Sequence, residues 1–349
     1  MIIRARAPLR LGLAGGGTDI STYADVHGGY VLNATIDRYA YAVIKTVDEP
    51  LIKFVATDLQ QTEVMRPQEG DIPLNGNMNL HKAVYNHMVS NYNDGKNINL
   101  ELTTFCDAPI GSGLGSSSTL VVAMVRAFVE LLNLPLDDYK IASMAYKIER
   151  VDCDLQGGRQ DQYSATFGGF NFMEFYEKER ALINPLRMKS WIICELEASL
   201  VLYFTGVSRE SAQIISDQIG SVNSGETQSL DAMHKIKIEA LNMKEHLLRG
   251  DFSGFVESMQ KGWENKKRSS KYVSNDLINS IYNAAIDSGA LAGKVSGAGG
   301  GGFMWFFVPP ENRINVIRTL KSFGGEVSNC HFTKYGSEAW VTNYIKCAN

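Results

Sequence analysis

No stretch of the sequence approaches the ~18–20 consecutive apolar residues that a membrane-spanning helix needs. The N-terminal Met1 to Pro8 places no long apolar run after its charges, which argues against a signal peptide. A basic excess is missing as well. The chain carries 34 Lys and Arg against 38 Asp and Glu, a formal net charge of −4. It has no global positive field to attract nucleic acid or an anionic membrane, so a phosphorylated ligand must find its positive charge locally. Cysteine is scarce: Cys106, Cys153, Cys194, Cys330 and Cys347 are odd in number and include no C-x-x-C pair. This argues against a disulfide framework and a cysteine zinc site, and reduced thiols in a cytoplasmic protein are expected. A long Pro/Ser linker and an internal repeat are also lacking.

The 349 residues are 44% hydrophobic and 21% charged, an ordinary globular balance long enough for two domains. Period-2 patterning and β-branched or aromatic content predict strands at Ile2–Leu13, Tyr39–Thr46, Ile52–Thr57, Ile98–Cys106, Phe170–Phe175 and Glu195–Phe204. Further strands are expected at Ala290–Ser296, Phe303–Val308, Glu326–Thr333 and Ala339–Tyr344. Helices are expected at Leu80–Asn91, Leu120–Leu132 and Leu136–Arg150, the last capped by Asp137. The stretch from Ser208 to His246 reads as mostly helical, and helices follow at Asp251–Lys267, Asn275–Ser288 and Glu311–Phe323. This mixed order predicts an α+β fold in two closely packed domains, 1–187 and 188–349, with a ligand cleft between them.

What the chain has in quantity is glycine, gathered in three loops. The first runs Ala7-Pro8-Leu9-Arg10-Leu11-Gly12-Leu13-Ala14-Gly15-Gly16-Gly17-Thr18-Asp19. It offers a carboxylate beside exposed backbone, either to accept from sugar hydroxyls or to form an Asx turn or helix N-cap; both readings stay open. The second, Pro109 to Thr119, contains Gly111, Gly113, Leu114, Gly115, Ser116, Ser117 and Ser118 and enters a strongly apolar helix. Glycines let N–H groups converge, and the helix start adds free N–H groups and a positive dipole end, so this loop suits phosphate. Its hydroxyls suit phosphate oxygens or Mg²⁺. It is not a Walker A loop. The third runs Lys294-Val295-Ser296-Gly297-Ala298-Gly299-Gly300-Gly301-Gly302. It matches G-x-G-x-x-G, but a strand rather than a helix follows, which argues against a dinucleotide site. Its glycine density points to close approach of a ligand or another loop.

In this order and spacing the three loops resemble the three motifs of the GHMP kinases, the family of galactokinase, homoserine kinase and mevalonate kinase. The resemblance implies a two-domain fold: an N-terminal α+β domain with the phosphate loop and a ferredoxin-like C-terminal domain. It implies ATP and Mg²⁺, with Pro109, Gly111, Gly113, Leu114, Gly115, Ser116, Ser117, Ser118, Thr119, Gly297, Ala298, Gly299 and Gly300 around the nucleotide phosphates. Ser117 and Glu149 would hold the metal. Asp161, in Gly157-Gly158-Arg159-Gln160-Asp161-Gln162, resembles the catalytic aspartate, and Arg10 the basic residue facing it.

The Gly15-Gly16-Gly17 run stands where galactokinase has Gly-Glu-His, so the galactose contacts do not carry over. The G-G-G-T-D form and Leu202 to Ser211 resemble the branch holding fucokinase and the bacterial heptose 7-phosphate kinases. That likeness implies phosphorylation of the anomeric hydroxyl of a heptose 7-phosphate, with Gly16, Gly17, Thr18, Asp19 and Arg209 at the acceptor. Lys266-Lys267-Arg268 is a second candidate for an acceptor phosphate, or simply a solvated helix end. Another sugar 1-kinase and a non-catalytic sugar or nucleotide sensor are the alternatives. The expected partner is a small sugar or sugar phosphate, with no nucleic acid and no membrane; a homodimer is compatible with the sequence.

Overall fold

A computed structural model describes residues 1–109, 111–207, 212–223 and 226–342. The larger sheet contains β1 (Ile2–Ala14), β2 (Gly29–Thr46), β3 (Ile52–Ala56), β4 (Gln61–Met65), β5 (Leu100–Cys106), β6 (Phe170–Phe175), β7 (Ala181–Pro185) and β12 (Glu338–Thr342). Its order is β12-β1-β2-β5-β3-β4, with β6 paired to β2 and β7. Among the described residues of this sheet only the β3–β5 pair is parallel. β2 is 18 residues long and, on the edge opposite β1, serves two neighbours in turn. Its second half pairs with β5 from Ala40↔Cys106 onward, and its first half with β6 up to Ala34↔Phe170. The expected Tyr39–Thr46 strand is thus the second half of a longer one.

Helices α2 (Asn79–Tyr92), α3 (Ser116–Leu131) and α4 (Asp138–Lys147) pack on this sheet. α3 is apolar almost all round and buries Val121, Val122, Met124, Val125 and Phe128, as a helix inside a core must. Asp137 does cap α4, its Oδ1 accepting from Lys140 N at 2.7 Å. The regular helix ends sooner than expected, because residues Ile148–Asp152 widen into a π-turn. Two short elements escape a periodicity reading: α1 (Ser21–His27) and α5 (Gln160–Phe167).

The smaller sheet contains β8 (Leu200–Phe204), β9 (Ala292–Val295), β10 (Phe303–Phe307) and β11 (Glu326–Ser328) in the order β11-β8-β10-β9, all antiparallel. Helices α7 (Ala212–Asn223), α8 (Thr227–Arg249), α9 (Phe252–Ser269) and α10 (Asp276–Asp287) lie between β8 and β9, and α11 (Arg313–Lys321) before β11. This is the ferredoxin-like strand order. The strand expected over Glu195–Phe204 starts only at Leu200; residues 190–199 form helix α6 (Ser190–Ser199), which buries Ile192, Leu196 and Ser199 at helical spacing. The strand expected over Glu326–Thr333 ends at Ser328, with one isolated bridge from Ile36 to Phe332. The last strand returns to the first sheet: β12 pairs with β1 from Ile2↔Thr342 to Arg6↔Glu338, and Arg6 ion-pairs with Glu338 at 2.8 Å.

β1 shows why the two units hold together. Ile3, Ala5 and Ala7 are buried while Arg4 and Arg6 are part-exposed, the alternation of a one-sided strand. From Pro8 onward both faces are buried, because the second unit covers the other side. Leu9, Leu11 and Leu13 share one apolar cluster with Leu202, Met243, Phe255, Met259 and Trp305. Among the described residues no helix is long and apolar enough to cross a membrane. Cys106, Cys153, Cys194 and Cys330 are free thiols; Cys347 lies outside the described residues.

A shared core predicts shared unfolding. Urea denaturation followed by fluorescence and circular dichroism is expected to give one coincident transition, and Phe255→Ala to lower stability by about 3–5 kcal/mol. Two separated transitions would show that the units fold independently.

Candidate active site

Register irregularities in β1, between Pro8 and Arg10 and between Gly12 and Ala14, interrupt its pairing with β2 at the point where the strand meets the loops. Such bulges re-aim side chains. Arg10 is 4% exposed. Its Nε donates to Asp161 Oδ1 at 2.7 Å, and its Nη1 to Gly113 O at 2.6 Å and Ser296 Oγ at 3.4 Å. One guanidinium therefore touches α5, the second glycine loop and the start of the third. Asp161 Oδ2 has no protein donor among the described residues and lies beside the cleft.

The second loop has positive φ at Gly111, Gly113 and Gly115 (76°, 84° and 79°), which only glycine adopts without strain. It delivers the chain into the N-terminus of α3, whose first N–H groups have no intrahelical acceptor. The glycines of the third loop are explained by contact with the second. A Cβ at Gly297 would stand 2.8 Å from Gly113 Cα, and one at Gly302 only 2.3 Å from Ser112 O. Ser296 Oγ donates to Gly113 O at 2.9 Å, and Phe303 N to Ser112 O at 2.8 Å.

The π-turn turns Glu149 inward, where it is 1% exposed; it is not a surface carboxylate. Ser117 Oγ donates to its Oε1 at 2.8 Å and Gln162 Nε2 to its Oε2 at 2.7 Å. Arg150 ion-pairs with it at 3.3 Å and donates to Ser118 Oγ at the same distance. Asp19 is buried too, at 1% exposure. Its carboxylate accepts from Gly17 N, Gln160 N and Gln160 Nε2, each at 3.0 Å. It therefore caps α5, a helix other than the one its own loop enters, and a Cβ on Gly158 would fall 1.9 Å from its Oδ2.

These groups surround a cleft of about 500 Å³. It brings together Arg10, Gly17, Asp19, Gly111, Gly113, Gly115, Ser116, Ser117, Ser118, Glu149, Asp161, Gly297 and Ala298 from the expected set. Several expected residues stand apart from it. Leu114 and Thr119 are fully buried in the core, the Thr119 hydroxyl bonded to Gly115 O. Pro109 gives its carbonyl to Ser116 Oγ. Gly299 and Gly300 lean on Val273, where Gly300 N donates to the Val273 carbonyl. Thr18 is fully buried and pins its loop to β2 through Gly15 O and Tyr30 N. Gly16 faces a small adjoining cavity. Arg209 lies outside the described residues.

Four residues on the cleft wall or, for Gln162, buried behind it against Glu149 went unread in the sequence or were given less weight. Arg150 and Gln162 flank residues that had been singled out. Gln218 and Lys266 come from the second unit. Lys266 lies on the buried stripe of α9 with Phe255, Met259 and Trp263, a spacing visible in the sequence. Its Nζ donates to Gly16 O at 2.7 Å, and Lys294 Nζ to Leu13 O at 3.0 Å. Burial pushes the Lys266 ammonium down to about 8, against a pull upward from Asp19, with Arg10 adding repulsion. Burial takes Lys294 to about 7, with Lys266 and Arg10 contributing.

A glycine-lined anion cradle, a buried carboxylate beside a serine, and a carboxylate–guanidinium pair on one cleft define a phosphotransferase acting on a small molecule. Residues 79–169 match the GHMP kinases N terminal domain, and residues 243–326 the GHMP kinases C terminal domain. The chain is 48% identical over 338 residues to the D-glycero-alpha-D-manno-heptose 7-phosphate kinase of Campylobacter jejuni, covering 97% of this chain and 98% of that one. It superposes with a TM-score of 0.83 and 41% identity on a D-glycero-D-manno-heptose 1-phosphate kinase from Bacteroides thetaiotaomicron, covering 98% and 100% of the two chains. It is 25% identical to the L-fucokinase/L-fucose-1-P guanylyltransferase of Bacteroides fragilis, covering 91% of this chain but 36% of that longer protein. The chain belongs to the GHMP kinase family.

Contact between the second and third loops is separable from backbone strain. Gly297 and Gly324 have φ of 76° and 79°, but a Cβ at Gly324 meets nothing within 4 Å. Each Gly→Ala change is expected to cost ~1–2 kcal/mol through its positive φ. Only Gly297→Ala should also weaken ATP binding, measured by titration calorimetry. Equal ATP affinity in the two variants would show that the loop contact does not shape the cradle.

Proposed function

We propose that the chain transfers the γ-phosphoryl group of ATP to the anomeric hydroxyl of D-glycero-D-manno-heptose 7-phosphate, giving the 1,7-bisphosphate for nucleotide-activated heptose synthesis. The observation that carries this reading is the Arg10–Asp161 pair, set at 2.7 Å between the phosphate cradle and the Gly17–Asp19 loop. The sugar is suggested by the names of the relatives above. Those names differ on where the heptose phosphate sits, at position 7 or position 1, and the acceptor hydroxyl follows from that position. Galactose is disfavoured, because Gly15-Gly16-Gly17 offers no side-chain contacts to it. The reading places the enzyme in the cytoplasm, where ATP is made, and divides the chain into an ATP-binding part at 1–187 and a C-terminal part at 188–349.

Each residue then has a chemical task. The second loop and the N-terminus of α3 hold the phosphates through backbone N–H groups, with Ser116 and Ser118 beside them. Ser117 and Glu149 suit Mg²⁺: both supply hard oxygen, and they already lie 2.8 Å apart on the cleft wall. Among the described residues no three His, Cys, Asp or Glu side chains could hold a metal by themselves, so phosphate and water oxygens would have to complete the shell. Bound there, Mg²⁺ would supply charge neutralisation for the phosphate oxygens. Asp161 accepts the proton of the attacking hydroxyl on its unpaired Oδ2, while Arg10 fixes its orientation. Asp19, with three protein donors already, holds α5 and the first loop in place and keeps limited capacity for a sugar hydroxyl.

ADP release measured against a panel of sugars and phosphosugars tests the reading. Turnover with heptose 7-phosphate supports it. Preference for fucose or galactose would transfer the chain to another sugar 1-kinase, and absence of turnover with any acceptor would favour a sensor. Asp161→Asn is expected to lower kcat by roughly 10² or more with ATP affinity retained; near-normal turnover would remove Asp161 from catalysis. Glu149→Gln should raise the Mg²⁺ concentration for half-maximal rate, with partial rescue at high Mg²⁺. An unchanged Mg²⁺ dependence would contradict the metal assignment.

A further inference from the structure

Among the described residues, Lys266 and Lys294 are buried or half-buried ammonium groups whose hydrogen-bond partners are backbone carbonyls only. Among the described residues neither has a carboxylate at ion-pair distance, although a charge withdrawn from water normally requires one. The contrast with the next residue is informative. Lys267, adjacent in the same basic run, turns to the surface and pairs with Glu264 at 2.7 Å. Lys266 turns inward to 8% exposure and forms part of the cleft wall beside Gly17, Asp19 and Gln218. Its ammonium has three donors, and one is used on Gly16 O.

The nearby acidic groups are already occupied or turned elsewhere. Asp161 is paired with Arg10, and Asp19 accepts three protein donors. Glu239 shares the small cavity behind the first loop with Lys266 and Lys294, its Oε2 buried without a hydrogen-bond partner, but it forms no ion pair with either among the described residues and does not line the cleft. The first loop supplies the space. Gly16 and Gly17 carry no side chains, and a Cβ on Gly17 would stand 3.3 Å from Lys266 Nζ at a φ of 102°. The absence of side chains and the unpaired cation therefore coincide at one point of the wall.

We infer that Lys266 binds the anionic group of a phosphorylated acceptor, with Gly17 leaving room for it on the cleft wall and Lys294 lying behind the first loop. This rests on the sugar phosphate reading above and names the residue that selects a phosphosugar over the free sugar. A phosphate dianion gives the buried ammonium, at hydrogen-bond distance, the counter-charge that Asp19 supplies only from further off, and it accepts the two unused hydrogens. Burial lowers the proton affinity of both lysines, and an anion bound beside Lys266 would raise that of Lys266 again.

The test is the ratio of kcat/KM for heptose 7-phosphate to that for unphosphorylated heptose. Where the free sugar turns over too slowly, its inhibition constant replaces the rate. Wild type, Lys266→Met, Lys266→Arg and the surface control Lys267→Met are compared, with inorganic phosphate as a competitive inhibitor. Wild type should prefer the phosphosugar, and Lys266→Met should cut that preference roughly 10–100-fold and relieve phosphate inhibition. Lys266→Arg should recover part of both, and Lys267→Met should match wild type. If Lys266→Met lowers both rates equally and leaves the ratio intact, Lys266 is a strut for the first loop; the inference then fails while the reaction stands. If wild type shows no preference for the phosphosugar, the proposed reaction fails and the inference with it. Should Lys266→Met not fold, Lys266→Gln, which can still donate a hydrogen bond, is judged by the same ratio.

Discussion

The site depends on a buried guanidinium. Arg10 must leave water at the end of β1, and a charge in that position is tolerable only when its donors are met. Asp161, Gly113 O and Ser296 meet them, and they belong to three separate segments of the chain. The cost of burying one cation thus fixes where α5, the phosphate loop and the third loop can sit. Removing one partner of such a buried pair typically costs ~3–5 kcal/mol, so the arrangement is strongly specified.

Glycine follows from that closeness. The second and third loops touch backbone to backbone, and the ammonium of Lys266 reaches a backbone carbonyl of the first. Side chains would hold these segments apart and fill the cleft that they enclose. The same feature that lets N–H groups converge on phosphate therefore also lets the two units close on each other. The core shared by β1 and the second unit keeps this approach rigid. The π-turn makes a further contribution by carrying Glu149 and Arg150 to the cleft at the end of an otherwise regular helix.

Much of this was legible in the sequence because it is local. Glycine runs, the apolar α3 and the alternation of β1 are read directly from neighbours along the chain. Residues 195–199 misled because a short apolar stretch carries no distinct period, and the helix of α6 is settled by burial of Ile192 and Leu196 in the apolar cluster that holds Leu202 and Phe307. The first half of β2 and the destination of β12 were not legible, since strand pairing is a long-range choice. Thr18 and Asp19 show the limit for function. A Thr-Asp beside glycines gives equal support to a ligand contact and to a cap; the structure assigns Thr18 to its own loop and Asp19 largely to α5. Lys266 shows the reverse. A basic run reads equally as a phosphate site and as a solvated helix end, and the helical stripe that Lys266 shares with Trp263 shows which of its members points inward.

The central claim is that the chain places a phosphoryl group on the anomeric oxygen of a sugar that is already phosphorylated. Phosphorus and proton NMR of the product formed from heptose 7-phosphate and ATP tests it most directly. The account predicts two phosphate signals, the new one coupled to the anomeric proton. A new phosphate coupled to any other sugar proton, or turnover only with an acceptor whose phosphate already occupies the anomeric position, would contradict it.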